Sequence, residues 1–134
     1  MRICWIIDNK YRDLYNLYNI KKILIQKDIN LIVLNKYHCL EHIDFFQPEF
    51  VIIPQFSKLG ISITEFCEKK KIKVILINSE GFVEKKAYSN FYPDIKKINK
   101  LHKIFCTTKS EVDYLIEKGF KKKILITGSL RHFN

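Results

Sequence analysis

Residues 3–7 read Ile-Cys-Trp-Ile-Ile, an unbroken apolar run that stops at Asp8. Five further short apolar runs follow, each bounded by polar residues, at positions 31–34, 50–53, 74–77, 104–106 and 124–126. They are continuous rather than alternating, and most are rich in isoleucine or valine. Continuous runs of this length are typical of strands covered on both faces, as in a parallel sheet. The sequence therefore predicts six parallel β-strands.

Segments with helical spacing separate these runs. Residues 13–27 place five apolar side chains on one helical face: Leu14, Leu17, Tyr18, Leu24 and Ile25. Residues 38–46 form a shorter candidate before Pro48, and residues 94–101 a weaker one. Two pairs have capping-box spacing, Ser62 with Glu65 and Thr108 with Glu111, and each predicts the start of a helix.

Alternation of strands and helices predicts an α/β fold: a single three-layer α/β/α Rossmann-like domain with a six-stranded parallel sheet over residues 1–134. The expected strand order is 3-2-1-4-5-6. Ligands of such sheets bind beyond the carboxyl ends of the strands, where the strand order reverses. The segments expected at that edge are residues 8–13, 54–60, 79–93, 107–109 and 128–134.

The composition is that of a globular protein, because 47% of the 134 residues are hydrophobic and 28% are charged. The net charge of +10 rests on 21 lysines and 3 arginines against 14 acidic residues. With 22 isoleucines and one alanine, this usage is typical of an AT-rich genome. A nucleic acid, an anionic membrane surface or a phosphorylated ligand remains open as the alternative reason for the charge, although nothing accompanies the lysines that indicates specific nucleic-acid recognition.

The sequence lacks the motifs of several common functions. No Gly-x-Gly-x-x-Gly follows the first run, and no phosphate-binding Gly-x-x-x-x-Gly-Lys-Ser/Thr occurs. Residues 38–42 match His-x-x-Glu-His, a zinc-peptidase pattern, but a solvent-facing turn is favoured and no metal ligand is assigned. Four cysteines without Cys-x-x-Cys spacing predict core packing in a reduced, cytoplasmic protein. Peripheral association with the inner membrane face stays open.

The tripeptide Ser79-Glu80-Gly81 directly follows the fourth run. A carboxylate at the end of a strand can act as a general base toward a hydroxyl, and the glycine permits a tight turn or close approach of a ligand. Lys85 lies further along the same loop, at the expected ligand edge.

Four stretches resemble surface-carbohydrate biosynthesis proteins, which are relatives of GT-B-type glycosyltransferases. Residues 123–133 (KILITGSLRHF) are similar to the signature that closes the N-terminal domain of that family. Residues 12–14 (RDL), 74–81 (VILINSEG) and 104–115 resemble further family segments in the right order.

The resemblance implies one half of a two-domain enzyme: the N-terminal, acceptor-side domain of a glycosyltransferase in surface polysaccharide biosynthesis. The nucleotide-sugar donor would bind a C-terminal domain absent from this chain or a partner subunit, so no cofactor is expected here. The partner would be a glycan or a lipid-linked acceptor. Glu80 is the implied base, and the residues implied to line the cleft are Asp8, Arg12, Gly81, Gly128, Ser129 and Arg131.

A second hypothesis comes from a different class of protein. The chain could be a non-catalytic Rossmann-like binding module that recognises an anionic glycan, a membrane surface or a nucleic acid through its lysines. Whether the chain is an enzyme therefore stays open at the level of sequence.

Overall fold

The computed structural model describes residues 1–129, apart from the side chain of Arg12. Six strands form one parallel sheet: β1 Arg2–Ile7, β2 Asn30–Asn35, β3 Phe50–Ile53, β4 Lys73–Ile77, β5 Lys103–Cys106 and β6 Ile124–Ile126. Five α-helices lie between them: α1 Lys10–Ile25, α2 Cys39–Phe46, α3 Lys58–Lys69, α4 Tyr88–Phe91 and α5 Lys109–Glu117. Two 3₁₀ helices, Lys85–Ala87 and Ile95–Lys100, complete the β4–β5 connection. The predicted parallel α/β class is confirmed.

The strand order differs from the prediction. It is β2-β1-β3-β4-β5-β6, so that β3 lies beside β1 and not outside β2. Three of the four β3 residues are buried, as suits a central strand, whereas β2 begins and ends with exposed asparagines, as suits an edge strand. The point where the order reverses therefore lies between β1 and β3.

Helices cover the two faces of the sheet unequally. On one face, α1 packs Leu17 against Trp5, Leu31 and Ile52. On the other face, α2, α3, α5 and the β4–β5 connection enclose the larger core, which includes Ile43, Cys67, Ile98 and Leu115. These layers give the predicted three-layer arrangement. Of the five apolar positions predicted to share one face of α1, Leu14, Tyr18 and Ile25 are exposed.

Only one of the two predicted helix starts is correct. The Thr108 hydroxyl accepts a hydrogen bond from Glu111 N at 3.2 Å and caps α5. Ser62 instead lies inside α3, which begins four residues earlier at Lys58 and has Ser57 as its N-cap. No helix within residues 1–129 is both long enough and apolar enough to cross a membrane.

Candidate functional site

A shallow groove opens at the carboxyl edge of the sheet, at the reversal of strand order between β1 and β3. Its polar lining is Asp8, Lys36, Gln55 and Ser57, and its enclosed volume is about 30 Å³. Lys36 Nζ donates a hydrogen bond to Asp8 Oδ1 at 2.9 Å, which raises the pKa of Lys36 above its ordinary value. A space of this size holds about one water molecule. The groove in this chain is therefore an open surface feature that by itself does not enclose a ligand larger than water.

Gly60 explains why the groove has this shape. It lies in the first turn of α3, and a Cβ atom added to it would lie 2.2 Å from the Gln55 carbonyl oxygen. Contact at that distance is prohibitive, so only glycine lets α3 begin so close to the turn after β3. The Ser57 side chain accepts a hydrogen bond from Gly60 N at 3.5 Å and completes this helix start.

Hydrogen bonds join the ends of β3 and β4 and position Glu80. Gln55 Nε2 donates to Glu80 Oε1 at 2.6 Å. Ser79 N donates to the Pro54 carbonyl oxygen at 3.0 Å, and Glu80 N donates to Asn78 Oδ1 at 2.9 Å. Gly81 follows with φ of 77°, in the left-handed region that favours glycine. The carboxylate is thus held at the edge of the groove by both its side chain and its backbone.

A buried carboxylate lies behind Asn78. Glu111, of which 1% is exposed, accepts hydrogen bonds from Asn78 Nδ2 at 3.1 Å and from Tyr92 Oη at 2.5 Å on Oε1. Its Oε2 accepts from Thr107 N at 2.9 Å and from Thr107 Oγ1 at 3.2 Å. Burial, reinforced by Glu111, raises the pKa of Tyr92 far above its ordinary value, so the phenol remains a donor. We call Gln55, Asn78, Glu80, Tyr92, Thr107 and Glu111 the edge network.

The sequence-predicted site residues divide into three groups. Asp8 lies in the groove, and Glu80 and Gly81 adjoin it through Gln55. Arg12 lies in the first turn of α1. In the sequence it follows the groove residue Asp8 by four positions. Arg131 falls outside the described residues.

The remaining predicted residues lie farther from the groove. Gly128, with φ of 73°, and the buried Ser129 follow β6, four strand positions from β1. At about 4.8 Å per strand, that separation is roughly 19 Å. Lys85 is exposed on the 3₁₀ helix of the β4–β5 connection. A single sugar ring in the groove would not reach Ser129.

No sequence motif pointed to Gln55, Asn78 or Gly60 as site residues, or to the structural role of Glu111. Residues 54–60 were expected at the ligand edge, but no motif singles out a glutamine there. Glu111 was recognised only as part of a capping pair. Its carboxylate instead reaches Thr107 and residues of the β4–β5 connection, which depend on the tertiary fold.

The cysteines and the His-x-x-Glu-His segment have structural roles. All four cysteines are buried, and burial raises the pKa of Cys4 to about 11 and of Cys67 to about 12, so these thiols are protonated near neutral pH. His38 precedes α2 with φ of 55°, and its Nδ1 lies 3.0 Å from Glu41 Oε2. His38 is therefore the N-cap of α2 and pairs with Glu41, whereas His42 lies inside the helix. Within residues 1–129, no three His, Cys, Asp or Glu side chains are grouped to hold a metal ion.

No protein-family model matches the chain, and no curated protein is significantly similar to it. Solved structures do share its fold. An S. aureus MnaA–UDP structure has a TM-score of 0.70 at 13% identity over 96% of this chain. A Neisseria meningitidis UDP-GlcNAc 2-epimerase bound to UDP-GlcNAc has a TM-score of 0.64 at 11% identity over 98%, and another UDP-N-acetylglucosamine 2-epimerase has 0.64 at 12% over 96%.

These likenesses establish the fold. The chain has a Rossmann-like α/β architecture, and it spans 44%, 47% and 48% of the lengths of those three chains.

Proposed function

We propose that this chain is the acceptor-side domain of a GT-B-type glycosyltransferase that builds a surface polysaccharide. The observation that carries the proposal is the hydrogen bond between the side chains of Gln55 and Glu80. It holds the Glu80 carboxylate beside the groove, at the place where the strand order reverses. Parallel α/β sheets bind ligands at that place. A carboxylate with fixed orientation is suited to a hydroxyl group, which it recognises through directional hydrogen bonds.

In the proposed reaction, Glu80 accepts the proton of an acceptor hydroxyl. The hydroxyl oxygen forms a bond to the anomeric carbon of the donor sugar, and the nucleoside diphosphate leaves with the electron pair of the bond that breaks. Gln55 is a positioning residue because it acts through Glu80. Gly81 permits the tight turn that follows the carboxylate.

The same proposal includes a second wall, opposite the shallow groove, that would complete the ligand site. The groove encloses only about 30 Å³, whereas small-molecule sites usually enclose about 300–1,000 Å³. The chain also spans less than half the length of the three enzymes with a similar fold. We expect a further domain or a partner subunit to bind the nucleotide sugar, and the purified chain alone to catalyse no sugar transfer.

The acceptor hypothesis is tested with ¹⁵N-labelled chain and the methyl glycoside of N-acetylglucosamine as the probe. Saturable shifts should appear at the Gln55 side-chain amide and at the backbone amides of residues 78–81. Glu80→Gln should weaken binding about tenfold, because it removes hydrogen bonds to a charged acceptor. Glu84→Gln is the matched control, since Glu84 is exposed in the same loop and pairs with Lys86. Equal affinities of the two variants would remove Glu80 from the site.

A second candidate is epimerisation of a nucleotide sugar, which the likeness to two structures of UDP-GlcNAc 2-epimerases favours. It is tested with UDP-GlcNAc in deuterated water. Shifts in the groove with this nucleotide sugar, together with deuterium incorporation at C2, would support the epimerase. Shifts with the methyl glycoside and none with UDP would support the acceptor domain.

A further inference from the structure

A second groove lies at the opposite, amino edge of the sheet. Three connections meet there because β4, β5 and β6 are neighbours, and their preceding segments run side by side. The groove encloses about 240 Å³, and its lining is Thr64, Glu68, Lys71, Ile72, Lys73, Val74, Lys100, His102 and Lys122. We call it the lysine groove.

The lysine groove concentrates positive charge. Four of its nine lining residues are lysines and one is an acid, Glu68, which pairs with Lys100. Within residues 1–129, no ion pair joins Lys71, Lys73 or Lys122 to a carboxylate. Three lysines without a carboxylate partner in that part of the chain therefore line one concavity, although Lys73 Nζ also lies 5.5 Å from the centroid of the Phe50 ring.

The pKa of His102 reflects the positive charge around the groove. Burial lowers its pKa first, and the charges of Lys73, Lys103 and Lys122 lower it further. The backbone of His102 is held by a hydrogen bond that its amide N donates to the Val74 carbonyl oxygen at 2.7 Å, and the centroid of its ring lies 5.9 Å from that of the Phe50 ring. The imidazole is therefore neutral near pH 7 and can donate a hydrogen bond to an anion.

The volume of the lysine groove and the residues of its floor restrict which ligand it can bind. A volume of about 240 Å³ is below the roughly 300–1,000 Å³ of sites for drug-sized molecules. Ile72, Val74 and Thr64 are buried, whereas the four lysines are exposed and form the rim. A lysine ammonium binds phosphate as a point charge. Three such groups with a compact space favour two linked phosphates over a whole nucleotide.

We propose that the lysine groove is a binding site for a diphosphate group. This site is separate from the shallow groove at the carboxyl edge, because it lies at the other end of the parallel strands. The proposal does not depend on the proposed function. The diphosphate could be free or carried on a lipid, and both sources present the same two phosphates.

The test is a calorimetric titration of the full chain with inorganic pyrophosphate, accompanied by NMR of His102. The variant Lys73→Gln/Lys122→Gln should weaken binding tenfold or more, because each lysine contributes a charge-assisted hydrogen bond. The control is Lys21→Gln/Lys27→Gln, which removes the same charge from exposed positions on and after α1. The control should bind within twofold of the original chain, and saturation should raise the pKa of His102.

Three results would overturn the proposal: equal weakening by the two variants, saturation without any response of His102, or binding of a twelve-residue oligothymidylate at least 100-fold tighter than pyrophosphate. The last result would identify a nucleic-acid surface, whose affinity also falls steeply with salt. A matched titration with geranyl diphosphate distinguishes the two sources. Affinity above that of pyrophosphate indicates a lipid-linked diphosphate, and equal affinity indicates a free one.

Discussion

The two edges of the sheet use polar residues in opposite ways. At the carboxyl edge, Gln55, Asn78, Glu80 and Glu111 are joined by hydrogen bonds into one network. At the amino edge, separate ammonium groups surround a groove with a single carboxylate. Side chains that are joined by hydrogen bonds have fixed positions. They are therefore suited to recognise neutral hydroxyl groups, because hydrogen bonds to such groups depend on direction. Separate charges suit an ion, which is attracted by the field as a whole.

The largest expected effect follows removal of the buried carboxylate of the edge network. Glu111→Ala leaves the Thr107 amide, the Asn78 amide and the Tyr92 hydroxyl without their acceptor. At about 1 kcal/mol or more for each unsatisfied buried group, the free energy of unfolding should fall by about 3 kcal/mol. Urea denaturation measures it. Lys122→Gln at the amino edge should change it by less than about 0.5 kcal/mol, and a similar loss in both variants would refute the contrast.

Gly60→Ala should have the next largest effect. The new methyl group meets the Gln55 carbonyl oxygen, so α3 must move away from the end of β3, at a cost of about 2 kcal/mol. The Gln55 side-chain amide resonance should shift as well. Gly119→Ala is the control, since nothing lies within 4 Å of its added Cβ and only its φ of 90° opposes the change, at about 1 kcal/mol. The reverse ranking would mean that the close approach at Gly60 is not required.

The two helix caps at the carboxyl edge should differ in strength. Thr108 Oγ1 accepts from Glu111 N at 3.2 Å and lies 3.3 Å from Tyr88 Oη, whereas Ser57 Oγ accepts from Gly60 N at 3.5 Å. We expect Thr108→Ala to cost about 1 kcal/mol and Ser57→Ala about half of that. Thermal or urea unfolding of the two variants measures the difference, and an equal cost would argue against a stronger cap at Thr108.

The smallest effect concerns pH at the amino edge. Because the pKa of His102 is lower in the folded chain than in the unfolded chain, the unfolded chain binds more protons as the pH falls below about 6.5. The contribution of this histidine to stability is therefore present above that pH and is lost as the pH falls through the folded pKa. Lys73→Gln should raise the pKa of His102, as measured by NMR titration. An unchanged value would show that the lysines do not act on the ring.

Much of the fold could be predicted from the sequence, because the run at residues 3–7 and its five counterparts are local signals. Analogy with other doubly wound sheets did not decide the strand order, because such sheets occur in more than one order. The signal that decides it was present in the exposed Asn30 and Asn35 at the ends of β2 and in the buried β3. The cap at Thr108 was visible because its partner is three residues away. Ser57 lacks an acidic residue at that spacing, since Gly60 occupies the position.

The candidate site was predicted less completely. Glu80 stood out because it follows a strand, but its partner Gln55 lies 25 residues away and no short motif connects them. The pairing of Ile53 with Leu76 in adjacent strands brings the two together. The lysine groove has the same origin, because its cations come from three connections that only the strand order places side by side.

The most direct test of the contrast between the edges is one NMR titration in which both probes are added in turn to the same ¹⁵N-labelled sample. The methyl glycoside should shift the Gln55 side-chain amide and leave His102 unchanged, and pyrophosphate should then shift His102 and leave Gln55 unchanged. Contradiction would come from a single probe that moves both signals together, or from a glycoside that moves only the amino edge.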